Sequence, residues 1–140
     1  NPDKTQAILD MGATRVIDST DPEQLASIQG KLKLVINTTN VTLNWDAYLN
    51  TIKPKGVLHT VGAVPQDMEI PARRLIEAER SVSGSPLGSP ALTKTMLEFA
   101  VRHNIYPIVE EFAMSDVNQA IDHLKQGKAR FRIVLTNENG

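Results

Sequence analysis

Residues 32–61, LKLVINTTNVTLNWDAYLNTIKPKGVLHTV, carry the pattern that decides the fold. Leu32–Asn37 is an aliphatic run bearing one solvated lysine, the composition of a short strand. Trp45, Leu49 and Ile52 then recur at i, i+4 and i+7, one face of a helix, and Pro54 should break it. Lys55 and Gly56 turn the chain into residues 57–61, VLHTV, a second buried-type strand. Strand, helix and strand without a two-residue hairpin signal predict a βαβ unit and a parallel sheet.

The same alternation extends outward at intervals of about 20 residues. Upstream, Asn1 caps a helix with Pro2 at its first position, Ala7, Ile8 and Met11 on its apolar stripe and Gly12 as its stop. Residues 14–18 (TRVID) read as a strand. Asp21, Pro22 and Gln24 then open a helix with a capping box, directing Leu25 and Ile28 inward until Gly30. Downstream, residues 63–78 read as a long loop with one helical turn, and 81–85 return to strand. Residues 90–103 form an amphipathic helix with Leu92, Met96, Leu97 and Ala100 on one side. Residues 106–112 are extended. Ser115 caps a helix that turns Val117, Ala120, Ile121 and Leu124 inward and closes at Gly127. Residues 131–135 (FRIVL) form the last strand, before a frayed tail.

Composition narrows the function classes. Fifteen lysines and arginines against 16 aspartates and glutamates leave a net charge of −1. That balance gives no electrostatic basis for a nucleic-acid or anionic-membrane binder. The chain of 140 residues contains no cysteine, which excludes disulfides and thiolate metal sites within it. No apolar run approaches the ~20 residues of a membrane span, and residues 1–4 lack signal-peptide architecture. The cytosol is the expected compartment.

Motifs with chemistry are sparse. There is no G-x-G-x-x-G, Walker loop or nucleophile elbow. His103 and His123 read as ordinary surface residues on helices, and His59 as a packed or hydrogen-bonded histidine within a strand. Glu110 and Glu111 point to opposite faces of an extended segment and read as a solvated edge. The informative positions are the strand ends, because open α/β sheets bind ligands beyond the carboxyl ends of their strands. Those ends are residues 37–40, 61–63 and 84–88, all small or hydroxylated, as close approach of a flat ring requires.

Five collinear segments add a resemblance: MGATRVIDS (11–19), LKLVINT (32–38), LNTIKPKGVLHTVGAV (49–64), SVSGSPLGS (81–89) and GKARFRIVL (127–135). Together they resemble the medium-chain dehydrogenase/reductase superfamily, and within it the cinnamyl-alcohol-dehydrogenase-like branch of zinc-dependent alcohol dehydrogenases. The resemblance implies a truncated Rossmann-type, doubly wound parallel sheet over residues 1–87, lacking its first βαβ unit. Residues 88–140 would be C-terminal elements of the catalytic domain. It further implies that the chain is the C-terminal two fifths or so of such an enzyme, truncated or proteolytically trimmed.

Position by position, the resemblance implies that Lys4 reaches the adenosine 2′-phosphate, which favours NADP over NAD. Thr38 lines the nicotinamide side. Val61, Gly62, Ser85 and Leu87 hold the carboxamide through backbone groups. Arg132 pairs with the pyrophosphate, with Arg130, one strand period away, as its rival. No catalytic residue and no metal ligand falls in this chain, and zinc is bound outside it. The parent enzyme would interconvert an alcohol and an aldehyde, as a homodimer, with no nucleic-acid or membrane partner, while these 140 residues alone would be inactive. The rivals are a zinc-free quinone or enoyl reductase of the same superfamily and a non-catalytic nucleotide-sensing or scaffold module.

Truncation carries a structural expectation as well. Without the first two strands of the sheet, Leu32–Asn37 becomes an edge. Either residues 14–18 move across to pair with it, or a second copy or a cleaved N-terminal piece fills it.

Overall fold

The computed structural model describes residues 4–137, which form two compact units: Thr5–Leu87, and Gly88 onward together with Lys4. The caps expected at Asn1 and Pro2, and the end of the C-terminal tail, lie outside the described residues.

The first unit opens with α1 (Thr5–Asp10), closed by Gly12 at φ 103°, and α2 (Pro22–Ala26). Asp21 caps α2 through Oδ1, which accepts the Glu23 and Gln24 N–H groups. The expected capping box takes a different form. The Gln24 side chain donates to Asp21 Oδ2 at 2.9 Å and accepts the Asp18 N–H at 3.1 Å.

That second bond bears on residues 14–18, which are not a strand. A strand exists only with a ladder partner, and here the Asp18 N–H is taken by Gln24 while Asp18 Oδ1 takes the Thr20 N–H. The predicted pairing of 14–18 with Leu32–Asn37 therefore does not form. The outer edge of that strand has no neighbour among the described residues.

β1 (Leu32–Asn37), β2 (Ile52–Thr60) and β3 (Ser81–Gly84) form an all-parallel sheet in the order β1-β2-β3, as the βαβ reading required. α3 (Trp45–Thr51) crosses between β1 and β2. It ends earlier than expected. Ile52 already belongs to β2, and Pro54 lies inside that strand instead of breaking the helix. The sheet tolerates this through a bulge, because the register runs from Leu32 opposite Ile52 to Leu34 opposite Val57. Residues 53–56 are thereby freed from regular pairing, which suits a proline without an N–H and Lys55 at φ 60°. Gly56 is required here, since a methyl group on it would lie 2.9 Å from the Lys33 carbonyl oxygen.

Trp45, Leu49, Ile52 and Leu58 form the core of this unit, each at most 4% exposed, with Val35, Leu75 and Val82 packed against them. The opposite face of β1 is open: Leu34 and Ile36 are 53% and 56% exposed. α4 (Ala72–Ile76) supplies the single helical turn expected in the long loop.

The second unit holds α5 (Pro90–Arg102), β4 (Val109–Ala113), α6 (Val117–Lys125) and β5 (Arg132–Thr136), with β4 and β5 paired in parallel. Ser89 caps α5 by accepting the Leu92 N–H. The apolar side expected of α5 is exposed in this chain at Leu92, Met96 and Leu97. Ser115 is not a cap: a 3-10 turn, Met114–Asp116, absorbs it and α6 starts at Val117. Ala120 is buried as expected, but Ile121 and Leu124 are exposed. Among the described residues no helix is long and apolar enough to cross a membrane.

Candidate functional site

The carboxyl ends of β1, β2 and β3 are tied into one rim. The Val61 and Gly62 N–H groups both donate to the Asn37 carbonyl, at 2.9 and 3.1 Å, and the Ser85 N–H donates to the Thr60 carbonyl at 3.2 Å. The buried Asn37 side chain reinforces this, donating to Thr60 Oγ1 and accepting from the Thr39 N–H and hydroxyl. Thr38 follows directly, exposed, with its backbone against Gly62. A methyl group on Gly62 would stand 2.8 Å from the Thr38 carbonyl carbon, so a residue without Cβ is what lets the two strand ends meet.

This bonding leaves a defined set of groups over. The donors of Val61, Gly62 and Ser85 are spent on the sheet. The carbonyls of Val61 and Ser85 and the N–H of Leu87 have no backbone partner among the described residues. Two acceptors and one donor, on the ends of adjacent strands, match the needs of a primary carboxamide, whose NH2 donates twice and whose oxygen accepts.

His59, in β2, lies beside this rim. Its Nδ1 is 2.9 Å from Ser83 Oγ and its Nε2 2.9 Å from Ser85 Oγ. Parallel register sets the first contact, because His59 stands opposite Ser83, and the period of two brings Ser85 to the same face. Sequence pattern places a histidine in a strand but cannot pair it with serines some two dozen residues away.

The remaining predicted positions belong to the second unit. The Lys4 ammonium donates to the Ala129 carbonyl at 3.3 Å and lies 5.9 Å from the Phe131 ring centroid. It has no carboxylate partner among the described residues. Arg132 is exposed at the first position of β5. Arg130 precedes that strand, so the period-two argument for the two arginines sharing a side does not hold. Its N–H donates to Glu110, which also takes His123 Nε2 at 2.9 Å. These bonds, the Arg130 N–H first, hold the Glu110 carboxyl below its usual range. Glu110 thus links β4 to α6 and is not a merely solvated edge, and His123 is its partner, half-buried against Phe112.

A hollow of about 670 Å³ lies elsewhere in the first unit, lined by Trp45, Asp46, Gln66, Asp67 and Glu69 among others. Its carboxylates make it a poor seat for a phosphate-bearing ligand. Among the described residues no three His, Cys, Asp or Glu side chains cluster to hold a metal ion.

Comparison with known proteins bears on this geometry. The sequence profile described as "Zinc-binding dehydrogenase" matches residues 1–102. The aldehyde reductase AdhA of Synechocystis sp. is 46% identical over 134 residues, covering 96% of this chain and 40% of its own length. Among solved structures, a cinnamyl alcohol dehydrogenase from Sorghum bicolor superposes with a TM-score of 0.90 at 31% identity, over 96% of this chain and 38% of its own. The CAD from Helicobacter pylori complexed with NADP(H) gives 0.81 at 31% identity, with the same coverage. The chain thus spans about two fifths of the length of the relatives it matches.

Proposed function

The chain belongs to the zinc-binding dehydrogenase family, and from that premise we propose that it supplies the nicotinamide-binding rim of an NADP(H)-linked alcohol dehydrogenase. The full-length protein interconverts an alcohol and an aldehyde. What carries this reading is the trio of free backbone groups at Val61, Ser85 and Leu87, complementary to a carboxamide.

NADPH, when bound, supplies the hydride; this chain's part is to hold the ring that delivers it. The carbonyls of Val61 and Ser85 would accept the two carboxamide N–H groups, and the Leu87 N–H would donate to its oxygen. Three such bonds fix the ring against rotation, so one face is presented to substrate. Gly62 lets the ring edge approach the rim closely, and Thr38 flanks it.

Lys4 is assigned to the 2′-phosphate. Its ammonium uses one proton on Ala129, which leaves two for an anion. Arg132, exposed on β5, is assigned to the pyrophosphate. Both assignments rest on the resemblance of the segments around them and favour NADP over NAD. Zinc has no ligand set among the described residues and no cysteine anywhere in the chain. On the resemblance we assign zinc to residues outside these 140 and propose that the isolated chain is inactive.

The test is Leu87→Pro in the full-length protein, which deletes one N–H with little added bulk. The KM for NADPH should rise while the wild type reduces aldehydes with it. Absence of NADPH-dependent aldehyde reduction by the wild-type protein would overturn the reading.

A further inference from the structure

We propose that His59 is a positioning residue, which sets the segment 85–87 for the carboxamide by bridging Ser83 and Ser85. The inference rests on the nicotinamide reading above and adds a residue that touches no part of the cofactor.

Segment 85–87 is held at few points. One backbone bond, Ser85 N–H to the Thr60 carbonyl, anchors its start. Beyond it β3 has ended, Pro86 has no N–H to give, and Leu87 is 96% exposed. Among the described residues, the side chain of Ser85 meets one partner, His59 Nε2, at 2.9 Å. The imidazole is itself braced, because Nδ1 meets Ser83 Oγ at 2.9 Å inside the β2–β3 ladder. A neutral imidazole donates through one nitrogen and accepts through the other, and each serine hydroxyl can take the complementary role. The ring therefore passes the position of a regular strand residue, Ser83, to the first residue beyond the strand.

That transfer matters because the acceptor on Ser85 and the donor on Leu87 are only two residues apart, and both must face the same group. A backbone free to rotate at Ser85 would present them in turn instead of together, and ordering it on binding would weaken affinity.

The two nitrogens give a selective test. A glutamine amide extends about as far as imidazole Nε2 and can reach Ser85; an asparagine amide matches Nδ1 and reaches only Ser83. His59→Ala, His59→Gln and His59→Asn are made in the full-length protein labelled with 15N-leucine. Reduced nicotinamide mononucleotide is titrated while the Leu87 amide signal is followed. His59→Ala should raise the dissociation constant roughly five- to tenfold, the loss of one net hydrogen bond, and broaden or shift the Leu87 signal before any nucleotide is added. His59→Gln should restore both readouts and His59→Asn neither.

Equal affinity and an unchanged Leu87 signal in His59→Ala would overturn the role of His59. So would equal rescue by Gln and Asn, which marks general strand packing. A wild-type protein with no saturable shift at Leu87 would remove the carboxamide site itself, an outcome distinct from both.

Discussion

Arg74 grips Asp46 at two points, Nε to Oδ1 at 2.6 Å and the terminal NH2 to Oδ2 at 3.0 Å, and so fastens α4 to the first turn of α3. The hydrogen bonds from Arg74 hold the Asp46 carboxyl below its ordinary range. A carboxyl depressed in the folded state stabilises the fold above its unfolded pKa, and that contribution disappears as pH falls through the folded value. Asp46→Asn should therefore lower stability at neutral pH and flatten the loss of stability below about pH 4. Urea titrations across acid pH measure this; identical acid limbs for the two proteins would refute it.

The core offers a contrast between two neighbours on α3. Leu49 is fully buried, and Leu49→Ala should cost about 2–5 kcal/mol through lost contacts and the cavity left behind. Trp45 is nearly as buried, yet its indole N–H has no acceptor among the described residues. Trp45→Phe removes that unpaired donor, and the gain offsets the smaller ring, so its stability should stay within about 1 kcal/mol of wild type. Equilibrium denaturation of both variants decides the point.

Two glycines near the rim should respond differently to the same methyl group. Gly62→Ala would press a methyl group into the Thr39 carbonyl oxygen, forcing that backbone aside, and should cost about 1–3 kcal/mol. At Gly88 a Cβ would meet Leu92 Cβ at an ordinary 3.6 Å, so Gly88→Ala should fall within about 0.5 kcal/mol of neutral. Melting temperatures rank the pair.

If Lys4 holds the 2′-phosphate as proposed, it should separate the two nicotinamide cofactors. In the full-length protein Lys4→Ala should raise the KM for NADPH by an amount worth about 1.5–3 kcal/mol, the range for a bond to a charged group, and leave that for NADH nearly unchanged. Equal losses with both cofactors would detach Lys4 from the 2′-phosphate. Steady-state kinetics with each cofactor reads the difference.

Where local pattern and pairing agreed, the sequence was enough: β1, β2 and β3 could be placed and ordered, and α5 could be placed, though its Ser89 cap was not foreseen. Residues 14–18 misled because β-rich composition says nothing about whether a ladder partner is present. Ile52 kept the helical period of Trp45 and Leu49 yet sits in a strand, since burial was satisfied equally by either element. Ser115 looked like a cap, but a 3-10 turn reached α6 first. At the rim, Gly62 and Ser85 were legible from their places at strand ends. The His59 bridge was not, because it depends on a register no single segment encodes. Glu110 was missed for the same reason, its partners lying on α6 and just ahead of β5.

Every strand pairing among the described residues is parallel, and each joins residues about two dozen positions apart: Leu34 with Val57, Val57 with Ser81, Val109 with Arg132. Among the described residues no hairpin exists to form first, in the roughly 1–10 μs that a tight turn allows. Each ladder instead waits on the closure of a long loop, whose entropy must be lost before any bond repays it. The two sheets share no strand, so zipping one does not begin the other. For its size this is a slow route to the native state, and the open aliphatic face of β1 keeps company with unfolded chain throughout it.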